Sequence, residues 1–126
     1  WGRDFSPKQK FADLLIAAGQ VDGIERVRFL TSHPKYMSKR VISAVADNSK
    51  LMPCFNIPFQ SGDDHILNQM RRGYTHEKYM SIIDNIKELT PDAAITADGI
   101  FRFPGETEEQ SHSTLALMAK VGGFQK

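Results

Sequence analysis

One cysteine, Cys54, is all that these 126 residues contain. A single thiol excludes an internal disulfide and any metal or iron–sulfur site built from several cysteines of this chain. Long apolar runs are also missing. Nothing approaches the ~18 consecutive apolar residues of a membrane-spanning helix. The first residues, Trp1-Gly2-Arg3-Asp4, lack the apolar core of a signal peptide. They also lack a starting Met, which leads us to expect a piece of something longer. Charge of one sign is scarce. Lys plus Arg number 16 against 15 for Asp plus Glu, a net charge of +1. A protein devoted mainly to neutralising phosphates is usually far more basic. Two further signatures are absent, the GxxxxGK[ST] phosphate loop and the GxSxG nucleophile elbow. His33, His65, His76 and His112 show no metal-ligand spacing.

What remains is an ordinary globular composition, 40% hydrophobic and 25% charged. The chain has room for one domain but falls well short of the roughly 250 residues of a full eight-stranded barrel. Its charge is unevenly spread. Residues 1–50 hold nine Lys/Arg against five Asp/Glu, and residues 51–100 hold four against seven. The basic excess includes Arg26, Arg28, Lys35, Lys39 and Arg40. Such a run is ordinary solvated surface or one wall of a surface that meets a polyanion.

Periodicity alternates along the chain. Ser6-Pro7 followed by Phe11, Leu14, Leu15 and Ala18 predicts a first helix, stopped at Gly19. Residues 26–30 read as a short strand, and Ser38 caps a helix with Val41, Ile42 and Val45 facing inward. A β-rich run from Cys54 to Phe59 is broken by Pro58. In it Cys54 is expected to be a buried, inert thiol, and Phe55 and Phe59 to be core. Asp63 and Asp64 open a short helix ended by Gly73. Thr75 starts the next, with Tyr79, Ile82, Ile83, Ile86 and Leu89 on one side. Residues 94–97 read as a strand. Thr107 and Gln110 form a capping box for a last helix carrying Leu115, Met118 and Ala119. Gly122-Gly123 stops it, and Phe124 opens a further strand.

Strands separated by helices imply parallel pairing by βαβ crossovers. The predicted class is therefore α/β, either a compact domain or a sector of a larger barrel. Parallel sheets place ligand sites at the carboxyl ends of their strands. Three such ends deliver Ser32-His33-Pro34, then Gln60-Ser61-Gly62, then Asp98 with Arg102-Phe103-Pro104-Gly105-Glu106-Thr107. Each also has a plain structural reading. His33 is suited to bonding its own turn, Ser61 or Asp63 to capping a helix, Gly62 to an unusual turn, Pro104-Gly105 to a turn, and Glu106 to a helix N-terminus.

The wording of these segments resembles the radical-SAM methylthiotransferases. The resemblance is carried by Arg26-Val27-Arg28-Phe29 with Thr31-Ser32-His33-Pro34, and by Ile57-Pro58-Phe59-Gln60-Ser61-Gly62-Asp63. Met70-Arg71-Arg72-Gly73-Tyr74-Thr75 and Phe103-Pro104-Gly105-Glu106-Thr107-Glu108-Glu109 complete it. It spans essentially the whole chain, and Ser32-His33-Pro34 is most similar to the tRNA-modifying, MiaB-type branch. The resemblance implies a partial (β/α) barrel sector with parallel strands, about three to four βα units of a (β/α)6 half-barrel. Residues 1–126 would be the central part of that radical-SAM domain. An N-terminal cluster domain, a CxxxCxxC loop and a C-terminal TRAM domain would lie outside this chain.

In such enzymes S-adenosylmethionine is bound and cleaved by a [4Fe–4S] cluster, and a methylthio group is added to C2 of N6-isopentenyladenosine next to the tRNA anticodon. By the same resemblance Gln60, Ser61 and Gly62 face the ribose of S-adenosylmethionine. Asp98, Ile100, Phe103, Gly105 and Glu106 lie beside its adenine, and Ser32 and His33 line the substrate cavity. No cluster ligand and no catalytic residue is assigned within this chain, which alone should be inactive. Arg102 stands where the family has Gly, and Phe101 where it has a small aliphatic residue. The implied partners are tRNA and the rest of the same protein, in the cytoplasm, a plastid or another organelle. Two other readings stay open. One is a non-catalytic module binding S-adenosylmethionine, a nucleotide or RNA. The other is a methylthiotransferase acting on threonylcarbamoyladenosine in tRNA or on a ribosomal protein.

Overall fold

Proline dictates much of the sheet. The structure, a computed structural model, describes residues 2, 4–30 and 32–122. Strands β1 (Cys54–Asn56) and β2 (Ala94–Thr96) pair in parallel, with Cys54 opposite Ala94 and Asn56 opposite Thr96. The expected first strand is reduced to one parallel bridge, Val27 with Leu51. Pro53 explains why. It has no N–H to donate, and the next amide, Cys54 N–H, bends back to the Met52 carbonyl at 2.8 Å. Ser32 nevertheless reaches the end of β1, its N–H donating to the Asn56 carbonyl at 2.9 Å. The sheet thus has two formal strands and one near-strand. The class is mixed α/β with a parallel sheet.

Five α-helices among the described residues follow the predicted order: α1 (Phe11–Gly19), α2 (Lys39–Ala46), α3 (Asp64–Gln69), α4 (His76–Leu89) and α5 (Glu108–Gly122). The caps at Ser38, Asp63 and Thr75 form as expected, each side-chain oxygen accepting an amide of the first turn. Thr107 and Gln110 make the reciprocal capping box, at 2.9 and 3.3 Å. α1 differs. It starts at Phe11, not at Pro7, because the Asp13 carboxylate accepts the Lys10 N–H at 2.7 Å and so sets the first turn. Its buried face is Ala12, Leu15 and Gly19, rotated from the expected one; Leu14 is exposed. Gly19 belongs to that face and lies against the Asn48 side chain.

The core lies on one side of the sheet. Period-two alternation sends Phe55, Ile57 and Phe59 of the β1 run inward. Val27, Phe29, Ile95 and Ala97 join them from the flanking segments. Against them α4 buries Tyr79, Ile82, Ile83 and Ile86. Burying each such side chain contributes about 1.5–3 kcal/mol. Two phenols anchor the sheet edge-on: Tyr79 donates to the Ile57 carbonyl at 2.9 Å, and Tyr74 to that of Phe59 at 2.8 Å. Burial pushes both hydroxyls above their usual pKa, so they stay protonated donors.

The opposite side of the sheet is open. Arg28, Leu30, Thr96 and Asp98 are exposed, and Cys54 and Asn56 are half-buried. Cys54 is therefore not the fully buried thiol the sequence suggested. It sits on the outward register of β1, whereas Phe55 takes the inward one. On α5, Thr114, Leu117 and Val121 are buried while Leu115 and Met118 are exposed. The expected stop at Gly123 and the strand at Phe124 lie outside the described residues, as does Thr31. No helix among the described residues is long and apolar enough to cross a membrane.

Candidate functional site

Pro58 sets the geometry at the carboxyl end of β1. Like Pro53 it lacks an amide, and the register slips by one residue across it. Asn56 faces Thr96 before the proline, and Gln60 faces Gly99 after it. The slip leaves Gln60 in the left-handed region, at φ +67°. A residue without the freedom of glycine holds that conformation only when its surroundings fix it. Here they do so through two backbone bonds. Gln60 N–H donates to the Asp98 carbonyl at 3.0 Å, and Ile100 N–H to the Gln60 carbonyl at 2.7 Å. Gln60, Asp98 and Ile100 are therefore laced together through their backbones. Gln60 is half-buried, and Asp98 and Ile100 are exposed.

Ser61 and Gly62 face the other way. Ser61 is buried. Its Oγ accepts the Asp63 N–H at 3.1 Å and shares a 3.3 Å hydrogen bond with Thr114 Oγ1. Gly62 N–H donates to the same Thr114 oxygen at 2.9 Å. Gln110 Nε2 adds a 3.0 Å bond to Asp63 Oδ1. This network clamps the β1 loop to α5. Thr114 is its hub, and sequence reasoning did not single it out. The available signal was its place on the 114, 117, 121 stripe that α5 buries.

The third segment forms a Pro-Gly turn. Gly105 lies at φ +84°, and Glu106 N–H donates to the Phe103 carbonyl at 2.8 Å. Glu106 Oε2 accepts the Phe103 N–H at 3.1 Å, while Oε1 is buried with no partner. A hollow of about 560 Å³ opens beside it, lined in part by Phe101, Arg102, Glu106, Ser111 and His112. Arg102 is left-handed, at φ +59°. This is the backbone that glycine adopts freely and arginine does not. Arg102→Gly is expected to raise stability by about 1 kcal/mol, the left-handed penalty less the extra entropy of glycine when unfolded. Urea denaturation would read it as a higher midpoint with an unchanged slope.

His33 does what its plain reading foresees and also lines a hollow. Its Nδ1 accepts the Lys35 N–H at 3.2 Å. The ring stands edge-on to Tyr74, with centroids 5.4 Å apart, and tilted to Tyr36 at 5.6 Å. Burial, helped by the charges of Arg72 and Lys35, holds its pKa below the usual histidine value, which favours the neutral acceptor. Ser32 and His33 border a cavity of about 320 Å³ with Phe11, Leu30, Tyr36 and Met37. Tyr74 links this corner to the β1 loop through its bond to Phe59. Among the described residues no group of three His, Cys, Asp or Glu could hold a metal ion. A profile of the radical SAM superfamily matches residues 2–118 of the chain.

Proposed function

The chain belongs to the radical SAM superfamily, and on that premise we propose that it is the central part of the radical-SAM domain of a tRNA methylthiotransferase. The substrate in this reading is N6-isopentenyladenosine beside the anticodon, and the compartment the cytoplasm or a plastid. The uncovered sheet face is the argument for a barrel sector, since parallel sheets are ordinarily covered on both faces.

One observation carries the cofactor reading: Gln60 is hydrogen-bonded to Asp98 and Ile100, which lead into the Phe103–Glu106 turn. In this reading Gln60 presents its amide to the ribose of S-adenosylmethionine, while Ser61 and Gly62 hold the loop against α5. Asp98, Ile100 and the Phe103–Glu106 turn border the adenine. The unpartnered Glu106 Oε1 suits a donor such as an exocyclic amine. These residues fit the nucleoside part of S-adenosylmethionine. They do not fit the cluster. Superfamily members generally use a [4Fe–4S] centre, which takes several thiolates, and Cys54 is the one thiol here. The cluster ligands of the parent enzyme belong elsewhere in its sequence.

Calorimetry with S-adenosylmethionine tests the rim. We expect binding that Gln60→Ala weakens about fivefold, the worth of one neutral hydrogen bond. Absence of binding, or indifference to Gln60→Ala, would count against it. The lone cysteine also keeps alive a non-catalytic module that binds the nucleoside without the iron. Mass spectrometry of tRNA from cells lacking the parent gene separates the two readings, since only the enzyme leaves the methylthio group missing.

A further inference from the structure

A second hollow lies beside the His33 cavity and has a different character. It measures about 410 Å³ and lies between the residues preceding α1 and the first turn of α2. Lys8, Lys10, Lys35 and Arg40 line it together with Phe11 and Tyr36. No carboxylate among the described residues lines it. The one ion pair among the described residues, Arg40 with Asp13, is at its edge. Lys8, Lys10 and Lys35 are exposed and enter no ion pair among the described residues. In a chain of net charge +1 this is a local concentration of positive charge, not a general property of the surface. Phe11, Tyr36 and Val41 border both hollows, so the basic channel adjoins the one that Ser32 and His33 line. Tyr36 is 61% exposed there and Leu30 74%.

We infer that this channel holds the sugar-phosphate backbone of a single-stranded RNA segment leading to the Ser32–His33 cavity. The inference rests on the RNA reading proposed above. Phosphates occur along the whole length of such a strand, which suits cations spread along a channel. Its bases offer faces to exposed aromatic rings such as Tyr36. An acidic peptide offers the charge without the stacking.

The test is fluorescence anisotropy with a labelled short RNA hairpin, titrated at several salt concentrations. The comparison is the chain against K8E/K10E/K35E, with K78E/K87E/K120E as a control of equal charge change on α4 and α5. The groove variant is expected to lose affinity about tenfold or more and to flatten the log–log salt slope by about 2, while the control keeps the slope. Circular dichroism checks that all three fold alike, which exposed lysines should permit. An unchanged slope in the groove variant, an equal loss in the control, or displacement of the RNA by equimolar polyglutamate would overturn the inference. Calorimetry with S-adenosylmethionine on the same variants keeps the questions apart. Nucleoside binding with no groove effect sinks the channel alone, and loss of nucleoside binding in the unmodified chain sinks the reading beneath it.

Discussion

Gly62→Val should release α5 from the rest of the molecule. A Cβ at position 62 would come within 2.6 Å of the Ser113 carbonyl carbon and 2.8 Å of Thr114 Cα. Both are backbone atoms of α5 and cannot swing aside. The helix must move, and with it Thr114, whose hydroxyl takes the Gly62 N–H and meets Ser61 Oγ. Overpacking of this kind costs about 1–3 kcal/mol, and loss of the bond from the half-buried Gly62 amide adds about 1–2 more. The sum, roughly 4 kcal/mol, is a large share of the ~5–15 kcal/mol that holds a domain together. Thermal melts would show an early loss of helical signal, and limited proteolysis would cut within 108–122 first. Gly105→Ala is the comparator. Nothing lies within 4 Å of its added Cβ, so it bears only the left-handed penalty at φ +84°, about 1–2 kcal/mol. If the two substitutions proved equally mild, the clamp would not be the feature that positions α5.

Phe55→Ala should be comparably severe for a different reason. Phe55 is wholly buried at the centre of β1 and stands edge-on to Phe29, with centroids 6.0 Å apart. Removing the ring opens a cavity beneath the β1–β2 ladder, which cannot collapse without breaking it. Such deletions cost about 3–5 kcal/mol. Denaturant titration followed by both circular dichroism and intrinsic fluorescence would measure it. A loss below about 1 kcal/mol would mean that the core relaxes around the site, contrary to its packing. Phe55→Leu should recover a good part of the loss, because a volume-conserving change leaves a smaller void.

The helices were legible because their signals are local. Ser38, Asp63, Thr75 and Thr107 cap where their residue types say they should, and the 79, 82, 83, 86 spacing on α4 is the face that is buried. The sheet was less so. Residues 26–30 alternate as a strand does, yet pairing depends on a partner, and Pro53 denies it one. Three strand-end segments stood out in the sequence, and two of them, at Gln60 and at Asp98–Ile100, are hydrogen-bonded to each other. The direction of each side chain was not legible. Gln60 and Ser61 are neighbours in sequence, but the backbone of one is bonded to the 98–100 segment and the hydroxyl of the other turns to α5. That division arises from the one-residue slip at Pro58 and from Thr114, which lies more than 50 residues away. Neither contact leaves a pattern in the segment it controls.

The brevity of β2 has a consequence for how this molecule keeps company with itself. One edge of Ala94–Thr96 is bound to β1, and no other named strand among the described residues takes the second. Ile100 and Phe101, both exposed, follow shortly after. A long flat edge with apolar neighbours would be a template on which copies of the chain could stack. Three residues expose too few free amides and carbonyls for a lasting foreign ladder. Asp98, close behind them, would set like charge against like in an in-register stack. The shortness that makes the sheet look incomplete also leaves a second copy little edge to build on.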